Sequence, residues 1–239
     1  MVWTIYVFIL FYFLLGSIGF YYINKRKSAE ETHNNVVKLA TYFGIVNVLF
    51  FSIILYPVVF RFIAMIIIIA GCFEIIIIFV RSAYSKKSLF LSSLFVFGIF
   101  SFAFYSFSGM DKDIILFTFL IVFIFDSFSH IPGQLWGRKK LFIHISPNKT
   151  IEGLSGGAVI AIISSYFLKD LTGYSAGNSI WLAIGIIFFA FFGDLMASLY
   201  KRKFNKKDYS RLISGHGGFL DRFDSFITGG AWIAFMLYI

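Results

Sequence analysis

The chain of 239 residues is 59% hydrophobic and only 14% charged, whereas soluble domains are roughly 25% charged, so this composition excludes an ordinary soluble domain. Its net charge of +9 comes from short Lys and Arg clusters between apolar segments, which argues against nucleic-acid binding and for membrane topology. The single cysteine, Cys72, excludes an internal disulfide and a multi-cysteine metal site.

Eight apolar segments approach the length needed to cross a bilayer, about 20 residues for roughly 30 Å of hydrocarbon. In chain order they are 2–23, 40–60, 62–80, 89–107, 114–129, 154–168, 180–200 and 226–239. We therefore expect an all-α, polytopic integral membrane protein with about eight transmembrane helices. The short sixth and eighth segments, and the tight turn expected at Arg61, leave counts of seven and nine open.

The basic residues give an independent test of this arrangement, because cytoplasmic loops are enriched in Lys and Arg. With eight spans, all of the 21 Lys and Arg residues except Arg61, Lys112 and Lys169 fall on one side of the membrane. This distribution predicts a cell membrane protein with both termini outside and its basic loops in the cytosol.

The polar residues divide the single membrane domain into two parts. Residues 1–107 form almost featureless apolar helices, whereas residues 108–239 carry nearly every unusual polar residue. We therefore expect the site in the C-terminal region, on the cytosolic side.

Two polar stretches come first in that region. Asp126 lies near the end of a span, where an acid is costly without a partner, although an interfacial solvated Asp is the alternative. Residues 146–153 lead into the sixth helix, and Ser146 or Thr150 would cap it. A helix N-terminus beside Lys149 suits an anion, while Gly156 and Gly157 suit close helix packing equally well.

The third polar stretch carries most of the candidate chemistry. Asp194, Ser198 and Lys201 are spaced to share one helix face, with Arg202 beside them. A glycine-rich turn and paired acids follow: His216, Gly217, Gly218, Asp221, Arg222 and Asp224. The basic residues between 201 and 207 would also serve as an ordinary anchor at the anionic leaflet.

This mixture of acids and cations suits nucleotidyl transfer. Mg²⁺ is held by one or two carboxylates together with phosphate oxygens and water, a role that Asp194 and Asp221 would fill. Lys201, Arg202 and Arg222 would neutralise a triphosphate.

Taken together, these ordered motifs resemble the phosphatidate cytidylyltransferase (CDP-diglyceride synthase) family. The resemblance extends from about Asp126 to Ile239 and rests most on Ser198, Lys201-Arg202, Lys207-Asp208 and the His216 to Asp224 motif. It implies a nucleotidyltransferase that converts CTP and phosphatidate into CDP-diacylglycerol and pyrophosphate, as a Mg²⁺-dependent homodimer in the bilayer. A second cation remains open.

The resemblance also implies a role for each residue. Catalytic roles fall to Asp194, Asp221, Lys201 and Arg202, and metal binding to Asp194, Asp221 and Asp224. Substrate binding falls to Asp126, Ser146, Lys149, Ser198, His216, Gly217, Gly218 and Arg222.

Other functions remain open at this level. A CTP-dependent polyprenol kinase or a CDP-ether-lipid synthase would use similar residues, and a kinase would release CDP. A transporter would use Glu74, Asp126 and Asp194 as coupling sites, although no inverted repeat supports it. Glu74, in the third span, has no assigned role; it would bond a hydroxyl inside the bundle, or line a lipid groove or dimer seam.

Overall fold

The computed structural model describes residues 2–25, 27–210 and 217–237, which form eight α-helices, one 3₁₀ turn and one β-hairpin. The helices are α1 Val2–Asn24, α2 Ala29–Leu55, α3 Pro57–Arg81, α4 Lys87–Phe107, α5 Lys112–Leu135, α6 Ile151–Phe167, α7 Ala176–Lys203 and α8 Leu220–Leu237. The hairpin strands are β1 Lys140–Phe142 and β2 Ser146–Thr150, and the 3₁₀ turn is Lys169–Leu171.

The expected fold class is confirmed, because each of the eight predicted segments corresponds to one helix of a polytopic membrane protein. Within the described ranges, six helices are long and apolar enough to cross a bilayer, namely α1 to α5 and α7. The helix α6 is apolar but has only 17 residues. The helix α8 has 18 residues and carries Asp221, Arg222 and Asp224 in its first turns. The sequence predicted eight spans, whereas six of the described helices are long and apolar enough to cross a bilayer.

The break between the second and third helices lies at Tyr56, not at Arg61 as the sequence suggested. Tyr56 has φ −141° and ψ 73°, outside the helical region, because the proline ring that follows disfavours helical geometry in the residue before it. Pro57 then starts α3, a position where its missing N–H costs nothing. Arg61 lies inside α3, with its guanidinium carbon 4.8 Å from the Tyr105 ring centre.

The helix α5 forms the centre of the bundle. Every residue from Ile114 to Phe125 is buried, which is typical of a helix that is apolar on all sides and surrounded by protein. By contrast, α1 and α4 present apolar side chains outward, among them Phe95 and Phe102 at 71% and 69% exposure. Such outward faces suit lipid as the surrounding solvent.

Small residues allow α6 to pack closely along α5. A Cβ on Gly157 would overlap the Ser129 hydroxyl and lie 2.7 Å from the Phe125 carbonyl oxygen, and one on Gly153 would lie 2.6 Å from the Ser129 carbonyl oxygen. These glycines therefore let the two helices pack closely. Close packing is the role that the sequence indicated as an alternative for Gly156 and Gly157.

The hairpin between α5 and α6 was not anticipated in the all-α expectation. Its antiparallel strands pair Lys140 with Thr150, and β2 runs directly into α6. The Thr150 hydroxyl accepts the Gly153 N–H at 3.1 Å, which confirms Thr150 as the N-cap. Ser146 lies in β2 instead.

The connections with basic residues meet at one end of the bundle. The Arg202 Nε donates to the Ile145 carbonyl oxygen at 3.1 Å, which joins the end of α7 to the hairpin. The Lys86 ammonium, between α3 and α4, donates to the Lys203 carbonyl oxygen. The charge pattern of the sequence predicts this result, because it places the basic loops on one side of the membrane.

Candidate active site

A cavity of about 440 Å³ lies between the C-terminal helices and the first two helices. Its polar wall comes from α5, β2, α7 and α8: Asp126, Ser146, Lys149, Asp194, Asp221, Arg222, Asp224 and Ser225. Its apolar wall comes from α1, α2 and α5: Tyr12, Phe13, Phe20, Leu39, Tyr42 and Phe123. The cavity is large enough for a small molecule and joins charge to hydrocarbon-like surface.

Asp194 occupies the α7 side of the polar wall. Its Oδ2 atom lies 2.9 Å from the Lys149 Nζ, and its Oδ1 accepts the Ser198 hydroxyl at 3.3 Å. The second contact confirms the predicted i, i+4 relation on one helix face. The Lys149 ammonium also lies 4.8 Å from the centre of the Phe191 ring, a cation–π geometry.

Asp221 is held at the start of α8 by three donors. Its Oδ1 contacts the Lys201 ammonium, and its Oδ2 accepts the backbone N–H groups of Tyr209 at 3.0 Å and Gly218 at 2.7 Å. Both side chains of the ion pair are buried, 9% exposed for Lys201 and 5% for Asp221. Burial, followed by the charges of Asp224 and Asp221, raises the pKa of the neighbouring Tyr209 phenol well above its usual value.

Asp126 and Asp224 complete the acidic wall. The Ser225 hydroxyl donates to Asp126 Oδ1 at 3.4 Å, which connects α8 to α5. Asp224 is buried, and its Oδ1 accepts the Ser225 N–H at 2.8 Å. Four aspartates from three helices therefore line one cavity, including the pair Asp194 and Asp221, which are remote in sequence.

Several predicted site residues lie behind this cavity wall. Ser198 and Lys201 contact the cavity acids, while Arg202 donates to the carbonyl oxygens of Ile145 and, at 3.3 Å, Lys206. The lining residues do not include Ser198, Lys201, Arg202, Gly217 or Gly218. His216 lies outside the described residues. The substrate contacts expected of these residues remain predictions.

The acidic wall fits a hard cation in its chemistry. Among the described residues, no three Asp, Glu, His or Cys side chains already converge as a metal site. Mg²⁺, however, usually takes one or two protein carboxylates and retains water or phosphate oxygens. Asp194 is the more available of the predicted pair, since its side chain is 36% exposed.

Glu74 is the residue whose role the sequence left open. It is 1% exposed on α3, and it accepts three hydrogen bonds from Ser210 and the start of α8. The hydroxyl partner confirms one of the options raised for it. In the sequence, the only sign of a role for Glu74 was an acid beside a run of isoleucines. That sign could not identify the two backbone N–H groups that bond the carboxylate.

The comparison with known families gives a match along the whole chain. A model described as the cytidylyltransferase family matches residues 1–239. The chain belongs to the cytidylyltransferase family.

Several relatives of this chain share one name. The chain is 44% identical over 115 residues to a phosphatidate cytidylyltransferase of Staphylococcus saprophyticus. The matched segment covers 47% of this chain and 44% of the relative. It is 43% identical over 115 residues to that of Staphylococcus haemolyticus and 40% over 117 residues to that of Staphylococcus aureus, with the same shares covered. The matched segment thus spans less than half the length of each relative.

Proposed function

We propose that this chain is a CTP:phosphatidate cytidylyltransferase that makes CDP-diacylglycerol and pyrophosphate. The observation that carries the proposal is one cavity with acids and cations on one wall and aromatic and aliphatic side chains on the other. Its substrates would have matching halves, because phosphatidate joins a phosphate to acyl chains and CTP carries a triphosphate. Family membership and the names of the relatives support the same assignment.

In this reaction a phosphate oxygen of phosphatidate attacks the α-phosphorus of CTP. The new P–O bond forms as the bond from the α-phosphorus to the bridging oxygen breaks, and pyrophosphate leaves with that electron pair. Catalysis of such a transfer depends mainly on positioning and on stabilising charge.

The cavity residues divide these tasks between them. Lys149 and Arg222 would bind phosphate oxygens, Ser146 would donate a hydrogen bond, and Asp126 would shape the polar wall. Lys201 and Arg202 would act from behind the wall by holding Asp221 and the hairpin. The apolar wall on α1 and α2 would contact the lipid.

Mg²⁺ would be held by Asp194 and Asp221, with Asp224 in support, and it would supply positive charge that neutralises the triphosphate. We further propose that the protein lies in the cell membrane as a homodimer, with the cavity open to the cytosol. The concentration of basic loops at the same end supports that orientation.

The test is incubation of purified protein with radiolabelled CTP, a panel of lipid acceptors and MgCl₂, followed by identification of both products. We expect CDP-diacylglycerol and pyrophosphate in equal amounts with phosphatidate, and loss of the reaction with EDTA. Asp194→Asn should reduce kcat by about 100-fold or more, because it weakens the proposed Mg²⁺ site whose positive charge stabilises the transferring group. Asp170→Asn is the matched control, since Asp170 is exposed in the 3₁₀ turn beyond α6.

Other outcomes would overturn parts of this assignment. Release of CDP with a phosphorylated polyprenol would identify a kinase, and preference for an ether lipid would change the acceptor. Solute flux in proteoliposomes without CTP turnover would indicate a transporter. Full activity of Asp194→Asn or Asp221→Asn would remove that residue from the proposed metal site.

A further inference from the structure

We infer that Glu74 is a positioning residue for the active site: its carboxylate holds the N-terminal end of α8, which carries Asp221 and Arg222 at the cavity. The inference rests on the proposed function for its catalytic consequence, but its structural part can be tested without that function. It gives a role to the buried acid of α3, to which the sequence assigned none.

Three donors converge on the Glu74 carboxylate. Oε1 accepts the Ser210 hydroxyl at 2.6 Å and the Phe219 N–H at 2.8 Å, and Oε2 accepts the Leu220 N–H at 2.7 Å. The two amides lie at the start of α8, where helix N–H groups lack intrahelical partners and a negative charge is favourable. Glu74 therefore acts as an N-cap supplied by a helix about 145 positions away in the chain.

Asp221 accepts hydrogen bonds from the same two chain segments that donate to Glu74. It accepts the N–H groups of Tyr209 and Gly218, the immediate neighbours of the Ser210 and Phe219 groups that bond Glu74. The carboxylates of Glu74 and Asp221 therefore connect the segment Tyr209-Ser210 to the segment Gly218-Phe219 through hydrogen bonds. One belongs to the proposed metal site, and the other is anchored in the transmembrane part of α3.

The residue at position 218 shows how close this contact is. A Cβ on Gly218 would lie 2.6 Å from Glu74 Oε1 and 2.8 Å from Oε2, closer than real Cβ contacts allow. Gly218 does not have a positive φ, whereas Gly217 has φ +84°. Alanine at position 218 would therefore be unfavourable because of Glu74 and not because of backbone strain.

The burial of Glu74 makes these bonds necessary. A carboxylate 1% exposed inside an apolar helix is costly unless its oxygens accept hydrogen bonds, and charge-assisted bonds are the stronger kind. Losing them would leave two N–H groups of α8 without their partner and release the helix start. Because Asp221 and Arg222 are the next residues, their placement at the cavity would become less defined.

The activity test uses Glu74→Gln and Glu74→Leu, with Tyr200→Phe as the matched control. The Tyr200 hydroxyl donates to the Ile75 carbonyl oxygen at 2.9 Å, so this control removes a buried bond between α3 and α7 beside Glu74 without altering the α8 cap. A small displacement at an active site can cost on the order of 100-fold, so kcat with CTP should fall roughly 10- to 100-fold in Glu74→Leu and less in Glu74→Gln.

Hydrogen exchange measured by mass spectrometry tests the contact without any substrate. In Glu74→Leu, peptides that contain Phe219 and Leu220 should lose protection, while peptides from α5 should exchange as in the wild type. In Tyr200→Phe the α8 peptides should remain protected. If the protein proves not to use CTP, the proposed function fails, but this measurement still decides whether Glu74 holds α8.

A double-mutant cycle gives the sharpest test. Gly218→Ala should reduce kcat in the wild-type background, and the same change should have a roughly tenfold smaller effect in Glu74→Ala, because the side-chain atoms that the new methyl group meets have been removed. Equal effects of Gly218→Ala in both backgrounds would overturn the inference. So would wild-type kcat and wild-type α8 protection in Glu74→Leu, or an equal loss of both in Tyr200→Phe.

Discussion

Lys201 and Asp221 form a buried ion pair whose two members come from α7 and α8. Each charge compensates the other where water has little access, and Asp221 gains two backbone donors as well. Removing one member of such a pair leaves an uncompensated charge in the interior. The charge balance of this pair, and not direct contact with substrate, is therefore the first role that the structure gives Lys201.

Lys201→Met should lower the free energy of unfolding by about 3–5 kcal/mol, since it leaves Asp221 buried without its cation. Lys201→Met combined with Asp221→Asn should recover most of that loss, while activity stays low because the carboxylate is absent. Thermal unfolding in detergent and the CTP assay measure the two properties separately. A double variant no more stable than Lys201→Met alone would contradict the pairing energy assigned here.

At the scale of elements, the contact between α5 and α6 positions one side of the cavity. The helix α6 follows directly from β2, which carries Ser146 and Lys149, while α5 carries Asp126. Close packing through Gly153 and Gly157 therefore sets the separation between these polar side chains.

Gly157→Ala should destabilise the protein by about 1–3 kcal/mol, because the added methyl group would lie 2.7 Å from the Phe125 carbonyl oxygen and force α5 and α6 apart. Gly98→Ala is the matched control in α4, where a Cβ would meet no atom within 4 Å. That change should be neutral or stabilising by up to about 1 kcal/mol. Thermal unfolding of both variants makes the comparison, and equal losses would show that tight packing at Gly157 is not the cause.

At the scale of the whole molecule, the polar end of the bundle gathers three connections with basic residues. The α3–α4, α5–α6 and α7–α8 connections contact one another or the end of α7 there, and the cavity acids lie at the same end. The opposite end holds Arg61 against Tyr105, near the α4–α5 connection. The proposed orientation in the membrane rests on the positive-inside tendency of such basic connections.

Single cysteines in a Cys72→Ala background should label on opposite sides of the membrane. Lys139→Cys and Lys206→Cys lie at the polar end, and Lys112→Cys and Tyr174→Cys at the other; all four residues are exposed. A membrane-impermeant maleimide should reach the first pair only in inside-out vesicles and the second pair only in right-side-out cells. Labelling of both pairs from one side would refute the proposed topology.

The sequence by itself determined the features that depend on short stretches of chain. The membrane class and the existence of all eight helices follow from local apolar runs, and the spacing of Asp194 and Ser198 follows from helical geometry. Thr150 was recognisable as a cap for the same reason. Pro57 was a local signal for the break at Tyr56 too, although the prediction placed the turn at Arg61 instead.

The tertiary structure alone decided which distant groups meet. The pairing of Lys149 with Asp194, the enclosure of Asp221 and the cap that Glu74 places on α8 join segments whose relation no local pattern encodes. The apolar wall from α1 and α2 is also known only from the tertiary structure, because the first 107 residues showed no local feature that predicts a cavity. The physical reason is that a buried charge takes whichever donors the packed helices bring to it, and packing depends on the whole chain at once.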